Sequence, residues 1–406
     1  MYDRIWCSSM EVNLQNKSES PPLIKTVKSQ KPIGKVRMST VDAFMIASDG
    51  NMERAEQLAK EKNKLDYQLL LAVQGKTEQA WKVVKELEKE EPKNNRAAFN
   101  RGWFYLSRGE LKKGLALMEK GRALGVWGNE DELGGMFSVR WDGKQDLKNK
   151  FVLIYMEGGF GDEILNVRFV KELVDKGAKV IIACQSTLAP LFARIDGVSA
   201  VAQADILKGI WHDYYIPSFS LAHLLGHEYK DLDGSPYITP NNRCVKRFAN
   251  YMKKDGFKVG IRWGGNQQFE FEQMRAFPFK DFYNAVNQEG VDLYSLQLSD
   301  SSYVDVSKYN ITDLEEHLTD WEQTAGAISN LDLVITSCTS IAHLSAAMGK
   351  ETWVIVPTMP YYPWAVPGDK SAWYNSVKLI RQEKFGNWDK PFAKVKQELE
   401  IRKCQR

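Results

Sequence analysis

From about residue 150 the chain alternates short apolar runs with longer amphipathic ones, and this alternation narrows the fold further than any other feature. Apolar runs of about five residues fit buried strands, while apolar residues spaced three and four apart fit helices packed over them. Phe151 to Tyr155 reads as a strand and Ile164 to Lys176 as a helix. Val180 to Cys184 is the next strand, Leu188 to Ile195 a short helix, and Val198 to Val201 a short strand. Strand, helix and strand in that order predict a parallel sheet covered on both faces. The alternation pauses over about 205–245, which is rich in His, Asp, Pro and Tyr, and then restarts. Lys258 to Trp263, Asp292 to Leu296, Leu331 to Thr336 and Thr352 to Val356 read as strands. Phe279 to Asn287, Trp321 to Ile328 and Ile341 to Met348 read as the helices between them. The expected fold is α/β: two doubly wound halves in series, facing a cleft, with ligands beyond the carboxyl ends of the strands.

The residues before this pattern read differently. Residues 1–37 are polar, carry Pro21-Pro22, and are expected to be a flexible segment. Residues 38–135 are helical in pattern and repeat: Gly75 and Gly109 stand 34 residues apart, as do Ala80 and Gly114. That is the tetratricopeptide period. The unit from Ala98 to Tyr105, followed by Gly109, Gly114 and Gly121, resembles such a repeat; Leu69 to Pro92 and Asp49 to Ala55 are poorer copies. So few repeats do not make a freestanding solenoid, so these helices are expected to lean on the next domain. Two roles are open for them, a structural brace and a groove for a protein partner.

At 406 residues the chain has room for two or three domains. A net charge of +3 gives no electrostatic case for nucleic acid. The longest apolar runs fall far short of the ~20 residues of a spanning helix, so no transmembrane segment is expected. The five cysteines are scattered, without disulfide or zinc spacing, and read as free thiols in a reducing compartment. The five histidines form no H-E-x-x-H, so no built-in metal is expected.

Polar residues collect at the predicted carboxyl ends. The first strand runs into Glu157-Gly158-Gly159-Phe160-Gly161-Asp162-Glu163-Ile164, a glycine-rich turn opening a helix. Such a turn lets a ligand approach the backbone and offers helix N–H groups to an anion. It lacks G-x-G-x-x-G, so it is not the usual dinucleotide turn. The plain alternative is a tight turn with Asp162 as a helix N-cap. Later ends carry Trp263-Gly264-Gly265-Asn266 with Arg275 nearby, then Ser295-Leu296-Gln297, then Cys338-Thr339-Ser340 leading to His343. Arg275 can grip a phosphate with two hydrogen bonds, and the helix start at Thr339 and Ser340 suits an anion. Taken singly, Thr339 could be only a cap and His343 only a core residue. Together they predict a pocket for a phosphorylated, nucleotide-bearing ligand. Trp263, Trp364 and Trp388 fit core or interdomain packing better than base stacking.

From about residue 139 onward the chain resembles the bacterial and phage proteins that join tetratricopeptide repeats to a family 9-like glycosyltransferase, related to ADP-heptose:lipopolysaccharide heptosyltransferases. The matching segments are Trp141-Asp142-Gly143, Glu157 to Ile164 with Arg168-Phe169, and Gly177-Ala178 leading to Gly197-Val198. They continue with Val259 to Asn266, Arg275, Ser295 to Gln297, Thr324-Ala325 and Leu331 to Thr336. The last are Thr339 with Ala342 to Leu344, and Arg381-Gln382 with Trp388. The resemblance implies a GT-B fold of two Rossmann-like domains: an acceptor-side domain over 136–245 and a nucleotide-sugar domain over 246–406. It implies an inverting transfer without an essential metal or other cofactor, the nucleotide-diphosphate sugar being a co-substrate. It places the proposed base on Asp162. Gly161, Trp263, Gly264, Asn266, Arg275, Gln297, Thr339, Ser340 and His343 would hold the donor, with Arg275 offsetting the charge of the departing diphosphate. One position departs from the family: its late motif usually reads Asp-Thr, and here it is Cys338-Thr339. A carboxylate contact to the donor would be lost, so ADP-heptose does not follow.

The expected activity is sugar transfer from a nucleotide-diphosphate donor to a glycan, lipid-linked glycan or protein acceptor. The alternative is a nucleotide- or glycan-binding scaffold that has lost catalysis and whose repeats recruit a partner protein. The expected location is the cytoplasm, or the inner membrane surface for a lipid-linked acceptor.

Overall fold

The computed structural model describes residues 40–128, 139–203, 209–267, 272–298 and 304–405. The flexible segment expected over 1–37 lies outside the described residues, as do residues 129–138 at the end of the helical region.

The helical region opens with Thr40–Ala47 and Met52–Lys62. Two helical hairpins follow, Lys64–Val73 with Thr77–Glu90 and Asn95–Ser107 with Leu111–Met118. Asn51, Asn63 and Asn94 cap three of these helices by accepting backbone N–H groups, each cap contributing ~1 kcal/mol. Gly75 and Gly109 turn the two hairpins at φ 77° and 82°, a left-handed backbone that favours glycine. The 34-residue spacing is therefore the spacing of two hairpin turns. Leu71, Val84, Leu87 and Phe104 pack within the hairpins, but Phe99, Trp103 and Trp127 belong to the same core as the sheet that follows. The helices lean on the rest of the chain, as their small number requires.

Among the described residues eleven strands follow: β1 (Val139–Arg140), β2 (Phe151–Tyr155), β3 (Lys179–Cys184), β4 (Val198–Ala202), β5 (Tyr214–Pro217), β6 (Phe257–Arg262), β7 (Val291–Ser295), β8 (Ile311–Asp313), β9 (Leu333–Ser337), β10 (Thr352–Val356) and β11 (Val377–Arg381). They form a five-stranded sheet in the order β1-β5-β2-β3-β4 and a six-stranded sheet in the order β11-β10-β9-β6-β7-β8. Every strand pair is parallel. In the second sheet Val259, Ile261, Leu333, Ile335 and Ile355 face one core, whereas Tyr294, Val334, Val354 and Val356 face the other. Alternation with both faces buried marks a doubly wound sheet, and each large side chain so buried contributes ~1.5–3 kcal/mol. The architecture is α/β with two parallel doubly wound sheets, the GT-B arrangement, behind an N-terminal helical region.

The structure departs from the sequence reading in several places, among them the short strands β1 and β8 and the helix Asn242–Ala249, none of which the sequence reading contains. The stretch read as irregular contains β5, which inserts between β1 and β2. This strand is only four residues long and ends in Pro217, so it carries little periodic signal. The helix read as Ile164 to Lys176 is Phe160–Asn166 and Val170–Asp175 joined by one turn of 3-10 helix. The edge strand β11 and the helix Asp389–Lys403 were not read; the latter buries only Pro391, Phe392, Val395 and Leu399.

Gly102 shows how tightly the second hairpin closes. A Cβ there would lie 2.9 Å from the Gly114 carbonyl and 3.0 Å from Met118. Gly102→Val is expected to destabilise the fold by ~1–3 kcal/mol through overpacking, read as a lower urea midpoint at unchanged slope. An unchanged midpoint would mean that the two helices separate at no cost.

Candidate functional site

The glycine turn is anchored before it begins. Glu157, buried just after β2, receives both guanidinium nitrogens of Arg122 at 3.0 Å and the Phe219 N–H at 3.1 Å. Its own N–H donates to Ser218 Oγ. Gly158 then takes φ 87°, and Gly159 is the N-cap of helix Phe160–Asn166. Asp162 is thus not the N-cap. It sits three residues into the helix, and its Oδ2 accepts the Gly159 N–H at 3.1 Å.

The other oxygen of Asp162 is met from the second half of the molecule. The Tyr361 hydroxyl, in the loop after β10, donates to Asp162 Oδ1. Burial pushes the Asp162 carboxyl up to about 6, opposed by the hydroxyl of Tyr361, the Gly159 N–H and the charge of Arg275. Ionisation is thereby about 3 kcal/mol harder than in the unfolded chain, yet the group is mostly a carboxylate at neutral pH. Its neighbour Glu163, fully buried, is pushed up to about 8 by burial, although Gln185 gives it two hydrogen bonds.

Gly161 is a point of close approach between the two halves. A Cβ there would lie 3.0 Å from His343 Cδ2 and 3.4 Å from Ser340 Cα, so only glycine lets the helix starts approach this closely. The carboxyl ends of the two sheets therefore face each other. Thr339 stands in extended conformation at the N-cap position of helix Ser340–Ala347 without a side-chain cap bond, and its hydroxyl lies 3.2 Å from that of Thr336. His343 is buried, stacks on Trp364 at 4.9 Å, and has Nδ1 2.9 Å from the Tyr374 hydroxyl. Burial, then the charges of Arg168 and Arg275, push it down to about 3, so it is a neutral ring. The Cys338 thiol is pushed up to about 12 by burial and stays protonated.

Arg275 lies close enough to influence Asp162, His343 and Cys338. It donates to Glu272 Oε2 at 2.5 Å and to the Cys338 carbonyl at 2.6 Å. Glu272 also accepts the Gly265 N–H at 2.5 Å, which fixes the turn beneath the guanidinium. Gln297 is buried, and its Oε1 accepts the N–H groups of Trp263 and Gly264 at 3.2 and 3.0 Å. It shapes the turn after β6 rather than presenting its amide. The Trp263 ring packs 4.5 Å from Phe279 in the core, leaving its backbone at the turn, while Asn266 is exposed. Asp162, Gly161, Ser340, His343 and Arg275 are thus gathered at one junction, with Trp263, Gly264 and Gln297 framing it.

Three further residues belong to this junction. The sequence reading does not include Tyr361 or Glu272, although Tyr361 follows a strand end and so obeys the rule that points to the others. Arg168 was noted without a role. Its guanidinium donates to the Trp373 carbonyl at 2.6 Å and the Tyr237 hydroxyl at 3.1 Å, and lies 4.3 Å from the Tyr374 ring centre. Among the described residues no group of His, Cys, Asp and Glu gathers to hold a metal ion, and no helix is long and apolar enough to cross a membrane.

No protein-family model matches the chain. The curated protein FlbA of Caulobacter vibrioides is 25% identical over 299 residues, 63% of this chain and 47% of FlbA. The chain thus spans about half the length of the curated relative it matches. The solved structure of ADP-heptose lps heptosyltransferase II from E. coli aligns with a TM-score of 0.46 at 12% identity, over 63% of this chain and 98% of that one. A glycosyl transferase family 9 structure from Veillonella parvula aligns at 0.49 and 10% identity, over 65% and 98%.

Both raised carboxyls act on stability with the same sign. The folded state keeps a proton that the unfolded chain releases at 3.8 for Asp162 and 4.5 for Glu163. Stability is then full below those values and falls as pH rises, until about 6 for Asp162 and about 8 for Glu163. Glu163→Gln is expected to remove its share of the decline between pH 6 and 8, a slope of about 1.4 kcal/mol per pH unit. Urea unfolding across that range, compared with the unsubstituted protein, reads it; equal slopes would place the Glu163 proton elsewhere.

Proposed function

We propose that this chain is a glycosyltransferase that moves a sugar from a nucleotide-diphosphate donor to a glycan or protein acceptor, with inversion and without an essential metal. The observation that carries this reading is a buried, partly protonated carboxylate, Asp162, standing where the carboxyl ends of two parallel sheets meet, within the influence of Arg275. Asp162 takes the proton of the acceptor hydroxyl while that oxygen attacks the anomeric carbon. The bond from that carbon to the diphosphate breaks, and the nucleotide diphosphate leaves with the electron pair. Arg275 and the N–H end of the helix that begins at Ser340 offset the negative charge as it develops. Glu272 holds Arg275 at this position and shares part of its charge. Gly161, Gly264, Asn266 and His343 would surround the donor, and Gln297 and the Trp263 backbone would frame it. The neutral Cys338 argues for a donor sugar other than one that needs a carboxylate contact there. A cytoplasmic site of action is part of the proposal, at the inner membrane surface where the acceptor is lipid-linked.

A second reading is a binding scaffold without catalysis, its helical region recruiting a protein. It is favoured by the engagement of both Asp162 oxygens and by the pairing of Arg275 with Glu272. A thermal-shift screen with ADP, GDP, UDP, CMP and their sugar conjugates, with and without Mg²⁺, separates the donor classes. A ligand present at 100 times its dissociation constant stabilises the folded state by about 2.7 kcal/mol. Metal-independent stabilisation by one nucleotide diphosphate is expected. Donor binding without transfer or hydrolysis over a broad acceptor panel would favour the scaffold.

Asp162→Asn is expected to fold and bind the nucleotide, because an amide can accept from Gly159 and donate to the Tyr361 oxygen. Transfer should fall by ~10²–10⁴-fold. In the unsubstituted enzyme kcat/KM should rise with pH to a plateau above about 6, as Asp162 ionises. Full activity of the Asn variant would remove Asp162 as the base.

A further inference from the structure

The loop that carries Tyr361 belongs to the six-stranded half but is held by the helical region. Thr358 donates its hydroxyl to the Val73 carbonyl at 2.5 Å, where helix Lys64–Val73 ends. The Thr358 N–H donates to Gln382 Oε1 after β11. Trp103, on helix Asn95–Ser107, packs 5.7 Å from the Tyr361 ring and 5.9 Å from that of Tyr362. Contact is therefore continuous from the helical hairpin, through the Tyr361 ring, to the carboxylate of the opposite half.

We propose that Tyr361 is the positioning residue that orients the Asp162 carboxylate and sets its proton affinity, and that the helical region, through Trp103, fixes where Tyr361 stands. The inference rests on Asp162 being the base. A phenol suits this role chemically. Burial and the neighbouring Asp162 hold its own proton well above the ordinary tyrosine value, so it is always a donor. A neutral donor stabilises the anion without the large loss of basicity that a directly paired cation imposes. A carboxylate has about four lone-pair sites, so bonds from Tyr361 and Gly159 leave acceptor positions for a substrate hydroxyl. The other ionisable groups around Asp162 are Glu163, Tyr362 and Arg275, with neutral His343 across Gly161.

The test is the titration of Asp162 in the full chain, followed by carboxyl-carbon NMR of labelled aspartate and assigned by difference from Asp162→Asn. Tyr361→Phe keeps the ring against Trp103 and removes only the donor. Its Asp162 midpoint is expected to rise by at least about half a pH unit, since a bond to the charged form is lost. Trp103→Leu should raise the midpoint by less. Trp81→Leu, which disturbs the packing on Phe104 and Tyr105 within the helical region, should leave it unmoved. An unchanged midpoint in Tyr361→Phe would overturn the positioning role. Equal behaviour of the Trp103 and Trp81 variants would overturn the part given to the helical region. A moved midpoint in a protein that transfers no sugar would sink the glycosyltransferase reading and leave the Tyr361 coupling standing. Transfer with an unmoved midpoint would do the reverse.

Discussion

Glu157 loses its water on folding, and the guanidinium that replaces that water comes from another region of the chain. Arg122 lies in the last helical turns before the sheet, and Glu157 follows the first long strand of the sheet. Around the pair, Glu119 accepts from Arg122, Arg140 and the Ser220 hydroxyl, and Arg122 and Arg140 both reach Ser220. Removing one member of such a pair leaves an uncompensated buried charge, at a cost of ~3–5 kcal/mol. The glycine turn starts one residue later, so the helical region determines where Asp162 begins its path. The stacking of Trp127 on Phe219 at 4.4 Å seals the same seam with apolar area.

A second half-buried cation joins the two sheets, and it is held differently. Arg168 is surrounded by the rings of Tyr237, Trp373 and Tyr374. Aromatic faces attract a cation without cancelling its charge, so its field still reaches His343 and adds to the burial that keeps that ring neutral. The Tyr237 hydroxyl donates to the Ile164 carbonyl and lies 3.2 Å from the Tyr374 hydroxyl, which meets His343. The helix bearing Asp162 and the helix bearing His343 are thus connected by hydroxyls as well as by the close approach at Gly161.

Much of this fold was legible in the sequence because both faces of the sheets are buried. Thr352 to Val356 and the neighbouring apolar runs have no alternative use, and the strands lie within a residue or two of their expected ends. The rule that ligands meet the carboxyl ends of strands also singles out Asp162, Arg275 and His343, which the structure brings to one junction. What stayed hidden depends on contacts distant in the chain. Gln297 reads as a ligand contact, and only its hydrogen bonds to Trp263 and Gly264 show it framing a turn. Glu272 looks like one more surface acid until Gly265 and Arg275 are seen converging on it. Tyr361 lies in an aromatic stretch that reads as packing, and its partner is 199 residues away in sequence. β5 escaped because four residues cannot display a period.

The shared seam between helices and sheets also bears on how such a chain can be rearranged over generations. A freestanding repeat array can be gained, lost or traded whole, since each unit touches only its neighbours. Here Val73, Trp103 and Arg122 each end on a residue of the sheets or their loops. A helical region borrowed from another protein would have to bring matching groups at all three places. The two regions are in this sense one mechanical piece, and a change at Trp103 is felt at Tyr361.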